Sequence, residues 1–336
     1  MSVGVAAKAG FALEQDDVVL ARQPPGRREA RDAGADDSDF QILDKNPGPR
    51  GGIPRLVPGA RMRHDHPMSS LLVDHTLAAR LEGAEAAANA RFIEARATVS
   101  PALGASWRDI HGITALFDGA GSPLTQTFGL GMTRPADDAA FDAVEAFFGS
   151  RGVAVDHEVS PLALGAPLAL LSGRGYVPIE LTDVMFRPIT AADDAATAPA
   201  IVITTAGPET GETWAEAAAD GWSEHPDVVP FVRALGAVYP HTAGSTCFAA
   251  SIDGTVAATG VLAIHGGIAL LAGASTRPAW RRRGAQSALL AARLRQARRA
   301  GCDLAMICAR PGSDSHRNAE RRGFRVAYTR IKWHRD

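Results

Sequence analysis

The chain has 336 residues, 46% of them hydrophobic, with 35 Lys and Arg against 37 Asp and Glu and a formal net charge of −2. That is enough apolar material for two cores, and it excludes the overall basic field that draws a protein to nucleic acid. No run approaches the roughly eighteen apolar residues of a membrane span, and the start lacks the basic, apolar, small order of a signal peptide. The expected setting is therefore the cytoplasm, with no membrane partner.

Residues 1–67 are rich in Arg, Asp, Gly and Pro, with clusters such as Gln23-Pro24-Pro25-Gly26 and Asn46-Pro47-Gly48-Pro49. This composition predicts a disordered extension. His64-Asp65-His66 lies in it, but two histidines two apart with no distant partner read as exposed spacers, and no metal site is expected. Met68 directly precedes the first helical pattern, 71–97, and is the expected native start.

Strand patterns follow at 113–117 and 124–132, a helix at 138–150, a strand at 153–159, a helix at 167–173 and a strand at 180–187. The turn before the first of these helices is Thr133-Arg134-Pro135-Ala136-Asp137-Asp138. Its two carboxylates and missing glycine would repel an anion at the helix start.

The second half opens with a strand at 200–205 and two short helices, 214–222 and 228–238. Three apolar runs, 245–252, 255–264 and 267–274, are separated by Asp253-Gly254 and His265-Gly266, the turns of an antiparallel meander. The third run leads through Thr276-Arg277-Pro278 into Arg281-Arg282-Arg283-Gly284-Ala285-Gln286-Ser287 and a long helix, 282–300. At such a helix start several backbone N–H groups lack intrahelical partners and the dipole is positive, while Gly284 lets the backbone approach a ligand; the combination suits a pyrophosphate. The same arginines and glycine also fit a plain solvated helix start. Along the helix Ala285, Leu289, Leu290, Leu294 and Ala297 mark an apolar side, and Arg293, Arg295, Arg298 and Arg299 are assigned to the other, either solvated or reaching a phosphate. Gly301 ends the helix. A buried strand follows at 303–309, then a helix carrying Asn318, the stop Gly323-Phe324 and a last strand, 325–333. Cys247, Cys302 and Cys308 read as core thiols, the last two being about 20 Å apart along an extended strand and too far to bridge.

The Arg281-x-x-Gly284-x-Gln286 loop after a strand and a proline resembles the acetyl-CoA loop of the GNAT superfamily of N-acetyltransferases. Gln286 stands where that family most often has Gly or Ala. The order of elements over 198–334 is also similar to the family's. The resemblance implies an α/β fold with a mixed, mostly antiparallel sheet flanked by helices. Arg174-Gly175-Tyr176 echoes Arg322-Gly323-Phe324 at a separation of 148 residues, so two tandem copies are expected: a degenerate domain over 68–190 without a cofactor loop, and an acetyl-CoA-binding domain over 198–334. A single domain with an unrelated extension is the other reading.

The resemblance further implies transfer of an acetyl group from acetyl-CoA to a primary amine, by direct attack in a ternary complex. Its cofactor residues would be Ala274, Thr276, Arg281, Arg282, Arg283, Gly284, Ala285, Gln286, Ser287 and Asn318. Backbone amides near Ala274 would polarise the thioester, and splaying of 268–274 from 303–309 would admit the pantetheine arm. Glu224 and His225, between the two short helices, are the candidate bases, with a solvated loop pair or a water chain as the alternatives. Ala319 occupies the place of the family's frequent acid, a tyrosine. An acyl-CoA-binding sensor without turnover, or a subunit pairing with another chain or a second copy of this one, is the other functional class. The acceptor, a small molecule or a peptide amine, is not legible.

Overall fold

The computed structural model describes residues 72–194 and 201–336. The readings made on 1–67, the His64-Asp65-His66 cluster and the Met68 start lie outside the described residues. Val73 to Asp336 belong to one compact unit.

The first helix, α1, runs His75–Val99, beginning where Asp74 accepts a hydrogen bond from the Leu77 N–H at 2.8 Å. This is a few residues later than the apolar pattern begins, because the cap fixes the start. Strands β1 (Ser106–Ile110) and β2 (Ile113–Phe117) form a hairpin, and β1 has no counterpart in the sequence reading. Its run Trp107-Arg108-Asp109 is exposed, so it carries no apolar signal. The strand expected at 124–132 is reduced to β3, Gln126–Phe128. Gly129 and Gly131 take φ of +83° and +73°, which ends it. At Gly131 a side chain would meet Ala163 Cβ at 2.8 Å, and its carbonyl accepts from Leu164 N at 2.8 Å, so glycine is required for the chain to close there.

The remaining elements of the first half are α2 (Asp138–Gly149), β4 (Val155–Val159), α3 (Pro167–Gly173) and β5 (Val177–Pro188). The second half supplies β6 (Val202–Ala206), α4 (Gly211–Asp220), α5 (Val229–Gly236), β7 (Ser245–Ile252), β8 (Thr255–His265), β9 (Ile268–Thr276), α6 (Ala285–Arg299), β10 (Leu304–Ala309), α7 (Asp314–Arg321) and β11 (Arg325–Arg335).

The eleven strands of the described residues join one sheet in the order β1-β2-β3-β4-β11-β5-β10-β9-β8-β7-β6. The sheet is mixed and mostly antiparallel: among these strands β3 with β4 and β9 with β10 are the parallel pairs. The order repeats outward from the centre. An antiparallel meander leads to a parallel neighbour in each half, reached through a helix, α2 or α6. The two closing strands, β5 and β11, are exchanged. β11 lies between β4 and β5, and β5 lies between β11 and β10, so each half ends inside the other.

Helices cover both faces. One face carries α2 and α3 over β2, β4 and Trp333, and α6 and α7 over β8, β10 and Met185. On the other, α1 spans both halves while α4 and α5 pack on β7 to β9. Beneath α1 lies a buried ionic network. Arg330 pairs with Glu85 at 2.8 Å, Glu158 at 2.9 Å and Glu82 at 3.3 Å, and Lys332 pairs with Glu158 at 3.2 Å and Glu180 at 3.4 Å. Burial pushes the Glu82 carboxyl up to about 7, with Arg330 opposing the rise and Glu85 adding to it. Burial works in the same direction at Glu158, but Arg330 and Lys332 outweigh it and hold that carboxyl below its ordinary range. On the opposite face of β4, burial and the charge of Arg335 lower the imidazole of His157 to about 3; its Nδ1 lies 2.7 Å from Thr127 Oγ1. Cys247, Cys302 and Cys308 are free and buried, as expected.

Candidate functional site

The parallel pairing of β9 with β10 covers only Ile268–Leu270 against Leu304–Met306; beyond it the two strands separate. The separation has a local cause on β9. Gly273 takes φ of +59°, and the register with β8 shifts between Thr259 and Val261, a bulge that turns the end of the strand. Arg293 of α6 then fills the base of the gap. Its guanidinium donates to the carbonyls of Val261 at 3.2 Å and Ala272 at 3.4 Å, and Gly260 leaves room for it, since a side chain there would meet the guanidinium at 3.0 Å. This corrects the sequence reading that put Arg293 on the polar side. It is only 3% exposed and sits in the stripe Ala285, Leu289, Arg293, Ala297, four residues apart, so its helical position was the missed signal.

Above Arg293 the gap opens into a cavity of about 490 Å³. Ala274 of β9 and Ile307 of β10 form facing walls, α6 contributes Gln286, Ser287 and Leu290, and α7 contributes Ser315, Asn318 and Ala319. Four of the cofactor residues expected from sequence, Ala274, Gln286, Ser287 and Asn318, therefore meet here. Arg321 and Arg322, which the sequence reading did not assign to the site, also line it. Arg322 donates to Ser287 Oγ, and Arg321 to Asn318 Oδ1 at 2.6 Å, so two guanidinium groups stand along one wall. No local signal in the sequence marked them, because their place follows from where α7 docks.

The helix starts where the glycine allows it to. Gly284 has φ of +87° and caps α6, no side chain caps the end, and Arg282 also has a positive φ of +61°. The helix therefore begins at Ala285 and not at 282, leaving the N–H groups of its first turn directed beyond the helix end. Gln286, the departure from the common loop pattern, ties the helix start to the end of β9. Its Nε2 donates to Thr276 Oγ1 at 2.7 Å and to the Ser275 carbonyl at 3.1 Å. Thr276 thus supports the loop without lining the cavity.

The loop arginines point elsewhere. Arg281 bonds Glu224 at 2.6 Å and the Gly221 carbonyl at 3.1 Å, and Arg283 reaches Asp253 at 3.4 Å and lies over the Trp280 ring at 4.5 Å. Arg277 pairs with Asp220 at 2.9 Å. Three bonds, one from Arg277 and two from Arg281, therefore join the loop to the end of α4 and the segment after it. Of the two candidate bases, Glu224 is engaged by Arg281, whereas His225 rests its ring 6.2 Å from that of Trp222. On the far side of β9, Gly273 and Ser275 border a second, small chamber against α4 and α5.

In the first half the equivalent turn begins α2 with Asp137, whose carboxylate accepts from Ala140 N at 2.9 Å and from Arg134 at 3.1 Å. That backbone bond, with lesser help from Arg134, holds Asp137 below its ordinary carboxylate range. A fixed negative charge therefore occupies the helix end that its counterpart in α6 leaves uncapped.

Residues 212–324 match the model of the Acetyltransferase (GNAT) family. No curated protein matches the chain. Among solved structures, a GCN5-related N-acetyltransferase from Kribbella flavida is similar over 77% of this chain and 95% of its own, with 18% identity and a TM-score of 0.55. A tandem GNAT protein from the clavulanic acid biosynthesis pathway aligns over 69% of this chain and 78% of its own, with 15% identity and a TM-score of 0.49. A GCN5-related N-acetyltransferase from Sphaerobacter thermophilus aligns over 69% and 75%, with 16% identity and a TM-score of 0.43. Among the described residues no helix is long and apolar enough to cross a membrane.

Proposed function

We propose that the chain, whose residues 212–324 match the model of the Acetyltransferase (GNAT) family, moves an acetyl group from acetyl-CoA to a primary amine by direct attack in a ternary complex. One observation carries the reading: the uncapped start of α6, set by a left-handed Gly284, opens beside a cavity of about 490 Å³ between diverging parallel strands. The first-turn amides would hold the diphosphate, as helix N-termini do for anions generally. The cavity between Ala274 and Ile307 would take the pantetheine arm, and Arg321 and Arg322 add positive charge along its wall.

In the reaction the amine nitrogen attacks the thioester carbonyl, the C–S bond breaks, the electron pair leaves on sulfur, and the nitrogen loses a proton. Backbone amides at the turned end of β9, near Ala274, would meet the developing oxyanion. His225 is the candidate proton acceptor, acting through water; Glu224 anchors the loop through Arg281. Ala319, in the place of the family's frequent tyrosine, has no proton to give. The guanidinium groups of Arg293 and Arg322 would stabilise the departing thiolate, and Ser315 is the hydroxyl on that wall. The lack of a tyrosine favours a second reading, acyl-CoA binding without turnover.

Calorimetry with acetyl-CoA, followed by thiol release with a panel of amines, tests both. Saturable acetyl-CoA binding and amine-dependent thiol release are expected. Binding with no release for any amine selects the sensor, and no binding refutes both.

A further inference from the structure

The amide of Gln286 has its orientation forced by its neighbours. The Ser275 carbonyl can only accept a hydrogen bond, and the end of the Gln286 side chain lies 3.1 Å from it, so the side-chain nitrogen is the atom turned that way. The same nitrogen donates to Thr276 Oγ1 at 2.7 Å. Both of its hydrogens are thereby used, and the amide is held at two points on the end of β9. Oε1 is left on the opposite edge of the group, and no other group of the described residues donates to it.

Gln286 lines the cavity of about 490 Å³, and this oxygen stands apart among the polar atoms there. Arg293, Arg321 and Arg322 carry only N–H groups. Arg321 already donates to Asn318 Oδ1 at 2.6 Å and Arg322 to Ser287 Oγ, while the Ser315 hydroxyl can turn to either role. Oε1 is therefore a fixed acceptor in a wall made mostly of donors, and it calls for an N–H or O–H on whatever fills the space. On the acyl-CoA reading, which this step rests on, the ionised diphosphate has no hydrogen to give. The pantetheine arm has two secondary amide N–H groups and a hydroxyl. We propose that Gln286 Oε1 accepts a hydrogen bond from the pantetheine arm, so that one side chain holds the end of β9 and the ligand in register. The contact is particular to this chain: Gly or Ala, the common residue of the resembling loops, has no atom that could make it.

Calorimetry on the full chain tests this by comparing coenzyme A with adenosine 3′-phosphate 5′-diphosphate, which keeps the nucleotide and the diphosphate and lacks the arm. Gln286→Met should weaken coenzyme A by about threefold to tenfold, the range of one neutral hydrogen bond, and should leave the fragment within about twofold. Thr276→Val removes one anchor of the amide and spares Oε1, so it should weaken coenzyme A less than Gln286→Met does. Gln286→Ala, read beside thermal melting, repeats the comparison should the Met variant fold poorly. Equal losses for the two ligands would mean that Gln286 only shapes the helix start. A loss in Thr276→Val as large as that in Gln286→Met would mean that it only clamps the strand, and unchanged affinity for both ligands would mean that it makes no contact. Each of these results overturns the inference and leaves the acyl-CoA site standing, whereas a native chain that binds no coenzyme A removes both.

Discussion

Replacing Glu82 by Gln should alter how stability depends on pH. In the fold, burial holds this carboxyl at about 7 against an ordinary 4.5. Between those values the folded chain keeps a proton that the unfolded chain has released, so stability falls as pH rises from about 4.5 to about 7. At about 1.4 kcal/mol per unit at full slope, and less where the group is half-titrated near pH 7, acidification from pH 7 to pH 5 strengthens the fold by about 2 kcal/mol through this group. His157 acts in the opposite direction. Burial lowers it to about 3 against an ordinary 6.5, so the unfolded chain takes up the proton first. Stability is lost as pH falls below about 6.5, by about 2 kcal/mol at pH 5. These two contributions nearly cancel in the native chain between pH 5 and 7. Removing either should expose the other: Glu82→Gln should lose about 2 kcal/mol relative to the native chain over that interval, and His157→Asn should gain about 2 kcal/mol. Urea denaturation at pH 5, 6 and 7 measures the slopes, and comparison with the native chain removes the contributions of Asp118 and Glu180, which burial raises as well. A Glu82→Gln slope parallel to that of the native chain would mean that Glu82 is already ionised in the fold, and the reasoning would fail.

Gly284→Ala should cost about 1–2 kcal/mol by placing a side chain at φ of +87°, and should weaken acetyl-CoA binding about tenfold if the helix start shifts to relieve it; calorimetry beside thermal melting separates the two effects. Glu224→Gln should free Arg281 and strengthen acetyl-CoA binding modestly, by about twofold to fivefold, with kcat unchanged, because the exposed pair is worth less than about 1 kcal/mol. A hundredfold fall in kcat would instead make Glu224 the base. Arg293→Met should leave the Val261 and Ala272 carbonyls without their guanidinium donor, costing about 1–3 kcal/mol for each one left unsatisfied. It should also close the gap between β9 and β10, read as loss of acetyl-CoA binding in chain that still melts cooperatively.

What the sequence could say about this fold was local. The glycine that starts α6, the Asp253-Gly254 turn and the paired Gly-aromatic stops each depend on neighbouring residues, and each stands where it was expected; the turn read at His265-Gly266 falls one residue later, at Gly266-Gly267, with His265 closing β8. The position of β11 between β4 and β5 depends on pairing between residues more than a hundred apart, which periodicity does not encode. Arg330 and Lys332 were illegible for a related reason. Charged residues on a strand read as solvent-facing until α1 and β4 are seen to bring Glu82, Glu85 and Glu158 against them. At the site, the backbone features were legible, while Arg321 and Arg322 were not, since their role follows from where α7 docks. The direction of Arg281 was equally hidden, because it depends on Glu224 in a segment that sequence placed on the acceptor side.

The exchange of β5 and β11 has a consequence for how such a chain can change over generations. Each half finishes its architecture with a ribbon borrowed from the other, so trimming away either one removes a ribbon that its neighbour borrows, and mechanics alone keeps the two from being shed separately.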